Sequence, residues 1–152
     1  MESPTREDLL GCLCVPRWAD DVLAGGPYAD RVALVARADE AGRTLSDEEL
    51  DQALSAHPRI GERGGPEMSA ASQREQAGVD PAAGDAAARL AAGNAAYEER
   101  FGRVFLIRAA GRDAEAILAE LDRRLGNDDE TERAETVDNL RQIALLRLEA
   151  LL

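Results

Sequence analysis

The sequence is poor in aromatic residues, in basic charge and in long apolar runs, and each shortage excludes a class of protein. Aromatic residues make up 3% of the 152 residues, whereas alanine and leucine are abundant, so packing of helix on helix is favoured. With 18 basic and 30 acidic residues, the formal net charge of −12 argues against nonspecific binding to nucleic acid or anionic membranes. No apolar run approaches the length that spans a bilayer, and residues 1–5 lack the basic and apolar regions of a signal peptide. We therefore expect a cytoplasmic protein that engages neither nucleic acid nor membrane, with residues 1–152 forming one domain.

Cysteine is also scarce, which bears on metal binding. Cys12 and Cys14 are the two cysteines, and on a helix they would point to different faces. A Cys-x-Cys pair with one distant histidine makes a poor zinc site, so we predict no metal and reduced thiols in a reducing compartment.

Cap and stop signals divide the chain into about seven or eight predicted helices, which indicates an all-α, single-domain bundle. The predicted boundaries in the first half are a start at Ser3-Pro4 with a stop before Pro16, a short segment from Pro16 to Ala24, a helix from Pro27 to Gly42, and a capping box at Ser46 and Glu49. Those in the second half are a loop at 58–68, a helix from Ser69 to Gly78, a long helix from Asp80-Pro81 to Gly102, a helix from Asp113 to Gly126, and a final helix from about Asp129 to Leu152. Residues 104–107 are the most apolar short run, and the pattern leaves open whether they form a buried strand-like segment or a connection.

The sole histidine, His57, directly precedes Pro58. Proline disfavours helical geometry in the residue before it, so His57 should lie just beyond the end of the helix that Ser46 caps. An imidazole there can point into a cleft, and its unperturbed pKa lies near neutral pH. The alternative is a histidine at a helix end that binds a backbone carbonyl.

The last predicted helix carries an arginine within its apolar stripe. The stripe comprises Val137, Leu140, Ile143, Ala144, Leu148 and Leu151. Arg147 falls seven residues after Leu140 and four before Leu151, so its guanidinium should face the core. It would then bind an anionic ligand, form a structural ion pair, or pack its stem while its head reaches solvent.

A third polar group lies on the short helix that follows the His57 loop. Ser72, Glu75 and Gln76 are spaced i, i+3 and i+4, so a hydroxyl, a carboxylate and an amide share one helical face. A solvated surface face is the plain alternative. Combined with His57 and Arg147, these groups suit proton transfer on a small anionic molecule. Because the sequence has no metal cluster, Gly-rich phosphate loop or serine nucleophile elbow, we expect catalysis without a cofactor.

Four ordered motifs resemble the OHCU decarboxylase family, where OHCU is 2-oxo-4-hydroxy-4-carboxy-5-ureidoimidazoline. They are His-Pro-Arg-Ile-Gly from residue 57, Ser-Gln-Arg-Glu-Gln-Ala-Gly from residue 72, Asn-x-x-Tyr-x-x-Arg-Phe-Gly-x-x-Phe-Leu-Ile from residue 94, and Gln-Ile-Ala-Leu-Leu-Arg-Leu from residue 142. The resemblance implies an all-helical enzyme, often dimeric, that converts OHCU to (S)-allantoin and CO2 without a cofactor. It also implies OHCU as the small-molecule substrate and a homodimer as the assembly to test.

The resemblance assigns roles by position. His57, Glu75 and Arg147 match the family's catalytic residues. The implied substrate contacts are Pro58, Ser72, Gln73, Arg74, Gln76, Phe105, Leu106, Ile107, Arg108 and Ala109. Many members read His-Pro-Asp-Leu-Ala-Gly at the first motif, and the loop to Ser72 is about two residues shorter here, which is typical of a bacterial subtype.

Other classes of protein remain open on the sequence alone. One is a non-catalytic helical module that binds a ureide or a partner protein, for which His57→Ala would preserve ligand affinity. A metal-assisted ureide hydrolase is a second, although one histidine is too few for the usual nitrogen-rich site. A purely structural helical protein is a third. Arg59 and Arg63 beside His57 would draw an anion towards it, or form a solvated charged loop.

Overall fold

The computed structural model describes residues 3–57 and 85–152, and within them every regular element is an α-helix. Seven helices lie in these two ranges: α1 Arg6–Cys12, α2 Pro16–Ala24, α3 Arg31–Ala41, α4 Asp47–Ser55, α5 Ala86–Phe101, α6 Ala114–Leu125 and α7 Asp129–Leu151. The predicted all-α class is confirmed. No helix in the described ranges combines the length and apolar character needed to cross a membrane.

Local capping chemistry explains most of the helix ends. The predicted capping box is present at α4, where Ser46 Oγ accepts from Glu49 N at 3.1 Å and Glu49 Oε1 accepts from Ser46 N at 2.9 Å. Asp113 caps α6 as predicted, accepting from Ala116 N at 2.8 Å. Gly102 ends α5 with a φ of 72°, a left-handed conformation that glycine adopts without steric cost.

Two predicted helix starts were wrong, and both rested on a proline. The first helix is capped by Thr5 instead of Ser3, because Thr5 and Asp8 exchange two hydrogen bonds of 3.0 Å that a Ser3-Pro4 start does not provide. The third helix starts at Arg31 instead of Pro27, because Asp30 supplies the side-chain acceptor, at 2.9 Å from Ala33 N. At these two helices the acceptor side chain, and not the proline, sets the start, whereas α2 does begin at Pro16 without a side-chain cap.

The structure also tests the predicted start of α5, the form of residues 104–107 and the apolar stripe of α7. Within the described residues α5 begins at Ala86, while the predicted Asp80-Pro81 start, the 58–68 loop and the helix from Ser69 to Gly78 lie outside them. Residues 104–107 lie in an irregular connection, which decides the question that the sequence left open. On α7 the predicted stripe is buried except for Leu151, which is 53% exposed because it lies in the last turn of the helix.

Contacts divide the chain into two compact units. Unit 1 comprises Met1–Ala56 and Val137–Leu152. In it α1 packs on α2 and α2 packs on α3. The single tryptophan, Trp18, is fully buried and donates from Nε1 to the Ala38 carbonyl at 2.9 Å. The C-terminal part of α7 belongs to this unit, and Arg141 of α7 pairs with Asp39 of α3 at 2.8 Å.

Unit 2 is His57–Thr136, and its described core lies between α5 and α6. The buried cluster comprises Leu90, Tyr97, Phe105, Ile107, Ala109, Ile117, Leu118 and Leu121. Gly93 lets the two helices approach closely, because a Cβ there would collide with the Leu121 side chain. The irregular connection thus contributes its own apolar side chains to the core of the unit.

Candidate active site

His57 lies two residues beyond the last residue of α4, in a bend and not in the helix, as Pro58 predicts. Its side chain is half-buried. The helix before it is fixed by Leu50, Ala53 and Leu54, which are buried. The histidine therefore follows directly from a helix whose inner face is anchored in the protein.

The first turn of α4 is held by Arg17. Its Nε donates to Glu49 Oε2 at 2.8 Å, and its Nη2 donates to the Thr44 carbonyl at 2.9 Å. The hydrogen bond from Arg17 lowers the pKa of Glu49 below its usual value. The start of α4 is therefore tied by an ionic contact and its end leads directly to His57.

The second described part of the candidate site is the 105–109 segment, which connects α5 to α6. Four of its side chains are buried and that of Arg108 is half-buried; the buried ones are Phe105, Leu106, Ile107 and Ala109. A backbone carbonyl enclosed in this way needs a hydrogen-bond donor. The Leu106 carbonyl has one, because Arg124 Nη1 donates to it at 2.7 Å.

Arg124 belongs to a buried cluster that sequence reasoning missed. Its side chain is 1% exposed, and its Nε donates to Glu132 Oε1 at 2.6 Å. Its guanidinium carbon also lies 4.7 Å from the centre of the Phe105 ring. The missed signal was in the sequence: Arg124 falls seven residues after Ile117 and three after Leu121, on the apolar stripe of α6.

Glu132, in the first turn of α7, accepts hydrogen bonds from three side chains. Besides Arg124, Tyr97 Oη donates to Oε1 at 2.7 Å, and Asn127 Nδ2 donates to Oε2 at 3.0 Å. Burial, and then the hydrogen bond to Glu132, raise the pKa of Tyr97. The phenol therefore stays protonated and donating. We call Tyr97, Phe105, Arg124, Glu132 and Thr136 the Arg124 cluster.

Arg147 is half-buried, whereas the stripe of α7 predicts a guanidinium facing the core. Its Nη1 donates to the Gly11 carbonyl of α1 at 3.3 Å. Its positive charge lowers the pKa of neighbouring Cys12, but burial outweighs it and raises that pKa to about 11. Arg147 therefore lies at the margin of the stripe and is only partly buried.

Six predicted site residues lie outside the described residues: Pro58, Ser72, Gln73, Arg74, Glu75 and Gln76. Arg59 and Arg63 lie outside them too. His57 and the 105–109 segment belong to unit 2, and Arg147 belongs to unit 1. The catalytic and substrate-binding roles of all these residues stay predictions.

Residues 3–57 and 85–152 contain no group of three or more histidine, cysteine or acidic side chains placed to hold a metal ion. Cys12 is buried and Cys14 half-buried, and neither forms a disulfide.

Comparison with solved structures identifies the fold. A crystal structure of OHCU decarboxylase in the presence of (S)-allantoin superposes with a TM-score of 0.79, covering 97% of this chain and 98% of that chain at 23% identity. A crystal structure of (S)-allantoin synthase gives a TM-score of 0.64 at 19% identity, covering 95% of this chain and 48% of the other. At these identities the likeness concerns the fold.

Comparison of sequences identifies the family. A curated relative from Haloferax volcanii, named 2-oxo-4-hydroxy-4-carboxy-5-ureidoimidazoline decarboxylase, is 32% identical over 135 residues, covering 88% of this chain and 79% of the relative. A relative of the same name from Amia calva is 32% identical over 138 residues, with the same two coverages. The uric acid degradation bifunctional protein of Bacillus sp. (strain TB-90) is 28% identical over 125 residues, which cover 81% of this chain and 24% of that protein. The family model for OHCU decarboxylase matches residues 2–149, and the chain belongs to the OHCU decarboxylase family.

Proposed function

We propose that this protein is a carboxy-lyase that converts OHCU to (S)-allantoin and CO2 in urate degradation, a part of purine metabolism. The observation that carries the proposal is the family match over residues 2–149, which includes all four motifs. Two curated relatives that carry the decarboxylase name align with 88% of the chain. The half-buried histidine at the end of an anchored helix is consistent with an acid or base that must reach a substrate.

The reaction needs orientation and one well-placed proton donor. Loss of CO2 from the carbon that bears the hydroxyl and the carboxylate leaves an electron pair, which the adjacent C=N accepts. An enol-like intermediate results, and protonation of one face of the neighbouring carbon sets the stereocentre. The enzyme must therefore hold the C–CO2 bond in line with the π system and keep an acid on one side of the ring. None of these steps requires a cofactor.

Each predicted residue has a chemical role in this scheme. His57 is the general acid or base, acting on the substrate hydroxyl or supplying the carbon proton. Glu75 orients His57 or binds the ureido N–H groups. Ser72 and Gln76 hydrogen-bond the ring and ureido edges. Arg147 holds a carboxylate or oxyanion; since a tight grip on the departing carboxylate would stabilise the ground state, its benefit lies in orientation or in the developing oxyanion.

The remaining predicted contacts are Pro58, Gln73 and Arg74 with the 105–109 segment. Backbone groups suit substrate binding here because a buried segment holds its peptide planes fixed. Arg108 is half-buried within the segment, so its side chain is the one that can also meet solvent or ligand.

Location, domain organisation and assembly form part of the same proposal. Two cysteines without a disulfide are typical of a reducing compartment, which supports a cytoplasmic location. The family match over residues 2–149 supports a single functional domain. A homodimer follows from the resemblance, and sedimentation equilibrium with the purified chain would measure it.

The decisive experiment follows OHCU decay by ultraviolet circular dichroism. OHCU is generated in the cuvette from urate with uricase and hydroxyisourate hydrolase. Wild type should accelerate its decay and yield optically active allantoin, and His57→Ala should lower kcat by about a hundredfold or more, because general acid–base catalysis contributes that much. Since His57 is the sole histidine, no other imidazole can substitute for it.

A matched control comes from the same helix. Gln52 is exposed on α4, so Gln52→Ala should retain wild-type kinetics and thereby exclude a general effect of altering α4. Spontaneous decay to racemic allantoin with the wild-type chain would overturn the proposed function.

A further inference from the structure

The Arg124 cluster contains an ion pair that is completely enclosed. The side chains of Arg124, on α6, and Glu132, on α7, are 1% and 0% exposed. Removing two charges from water is expensive, and apolar side chains of similar volume often serve stability as well or better. A contribution to folding stability is therefore a poor explanation for the presence of a buried ion pair at this position.

The arginine reaches one particular carbonyl. Its Nη1 donates to Leu106 O at 2.7 Å while its Nε donates to Glu132 at 2.6 Å. Its face also covers the Phe105 ring at 4.7 Å. A planar fork can meet a carboxylate and a carbonyl in different directions and stack at the same time, which an ammonium group cannot do. The arginine thus fixes both the backbone and a side chain of the 105–109 segment.

The position of the guanidinium is itself restrained. Glu132 accepts from Tyr97 at 2.7 Å and from Asn127 at 3.0 Å, so it cannot swing away from Arg124. Thr136 Oγ1 accepts from Arg124 Nη2 at 3.3 Å and donates to the Glu132 carbonyl at 2.9 Å. A network with its partners satisfied holds one geometry.

Fixing the Leu106 carbonyl also fixes the next amide. The peptide bond between Leu106 and Ile107 is trans, so its C=O and N–H point in opposite directions. With the carbonyl directed at Arg124, the Ile107 N–H is directed away from the Arg124 cluster. Among residues 3–57 and 85–152 no backbone carbonyl accepts that N–H.

We propose that Arg124 and Glu132 are positioning residues for the decarboxylation: they set the backbone of the 105–109 segment so that the Ile107 N–H is presented as a donor to a carbonyl or carboxylate oxygen of the substrate. This inference rests on the proposed function. Neither residue touches the reacting atoms; both act through the peptide between Leu106 and Ile107.

The test replaces the buried pair by apolar residues of similar volume, as Arg124→Met with Glu132→Leu in one chain. The control alters an exposed pair of the same unit, Arg89→Met with Glu115→Leu, whose Nη1–Oε1 distance is 2.6 Å. Circular dichroism establishes folding, hydrogen exchange measures the amides of residues 105–109, and kcat and KM are measured with OHCU generated enzymatically. A loss of global stability accelerates the exchange of amides throughout the protein and leaves kcat/KM of the folded protein unchanged, whereas the positioning role predicts faster exchange confined to residues 105–109 together with a lower kcat/KM.

We expect the buried-pair variant to fold, to exchange the 105–109 amides faster, and to lose about tenfold or more in kcat/KM, since small misplacements are costly in catalysis. The control should match wild type in both measurements. A folded buried-pair variant with wild-type exchange, or with wild-type kcat/KM, would overturn the positioning role.

The inference can still be tested if the buried-pair variant does not fold, and an inactive wild type also has a defined meaning. If the buried-pair variant does not fold, Tyr97→Phe replaces it, because this change removes the hydrogen bond to Glu132 and keeps the ring. Faster exchange with lower kcat/KM then supports the inference, and unchanged values overturn it. If wild type itself does not accelerate OHCU decay, the proposed function fails and the inference falls with it; an active wild type beside an equally active variant overturns the inference alone.

Discussion

Arg124 and Arg147 both lie on the apolar stripe of a helix, yet their surroundings differ. Arg124 is enclosed on α6 and meets a carboxylate, a hydroxyl, a carbonyl and an aromatic face. Arg147 is half-buried on α7, and its Nη1 meets the Gly11 carbonyl at 3.3 Å. An arginine in an apolar stripe can therefore be enclosed among internal hydrogen-bond partners, as Arg124 is, or lie half-buried at the edge of the stripe, as Arg147 does. Of the two, the half-buried guanidinium is the one that a ligand can approach from solvent.

The largest difference between the two arginines is expected in folding stability when each is truncated to alanine. Arg124→Ala leaves Glu132 buried without its countercharge, so we expect a loss of about 3–5 kcal/mol in the free energy of unfolding. Urea denaturation followed by circular dichroism measures it. Arg147→Ala is the matched control and should cost far less, because its side chain is half-buried. Equal losses for the two variants would contradict the distinction.

The second prediction concerns the catalytic activity of a variant at the half-buried Arg147. Arg147→Leu should retain the circular dichroism spectrum of wild type and lower kcat/KM about tenfold to a hundredfold, the value of a charge-assisted hydrogen bond. The assay with enzymatically generated OHCU measures it. Arg141→Leu, on the same helix but paired with Asp39 at 2.8 Å, is the control for loss of a cation from α7. Retained turnover in Arg147→Leu would remove Arg147 from the proposed site.

The smallest expected effect separates Arg124 from its exposed neighbour Arg123. Hydrogen bonds from Arg123 lower the pKa values of Glu120 and Glu135 below 4.5. A lowered folded-state pKa contributes stability that is complete above about pH 4.5 and lost as pH falls through the folded value. Arg123→Gln should therefore cost less than about 1 kcal/mol near neutral pH, and the difference from wild type should vanish in acid. A difference that persists unchanged at pH 3 would contradict this assignment.

The parts of the fold that were predictable from sequence are those fixed by residues close together in the chain. The capping box of Ser46 and Glu49 was predicted correctly because both partners lie within one turn. The starts at Ser3 and Pro27 were wrong because nearby Thr5 and Asp30 offer better acceptors, and a proline does not reveal such competition. Sequence could not decide the form of residues 104–107, since the donor that satisfies the Leu106 carbonyl lies 18 residues away.

The candidate site shows the same division. The non-helical position of His57 follows from the next residue, Pro58, and could be predicted. Arg147 was recognised from helical periodicity, but its exposure depends on the packing of α1 beside it, at Gly11. Arg124 satisfies the same periodicity and was missed because Glu132, its countercharge, belongs to the following helix.

The burial of Trp18 gives the protein an internal optical probe. As the sole tryptophan, with its indole held against the Ala38 carbonyl, it reports by fluorescence on the packing of α2 against α3 in unit 1. Arg124 lies in unit 2, far along the sequence from that reporter. Unfolding curves of Arg124 variants recorded both by tryptophan emission and by circular dichroism therefore measure cooperativity directly: coincident curves mean that damage to one unit unfolds both, and separate curves mean that each unit melts independently.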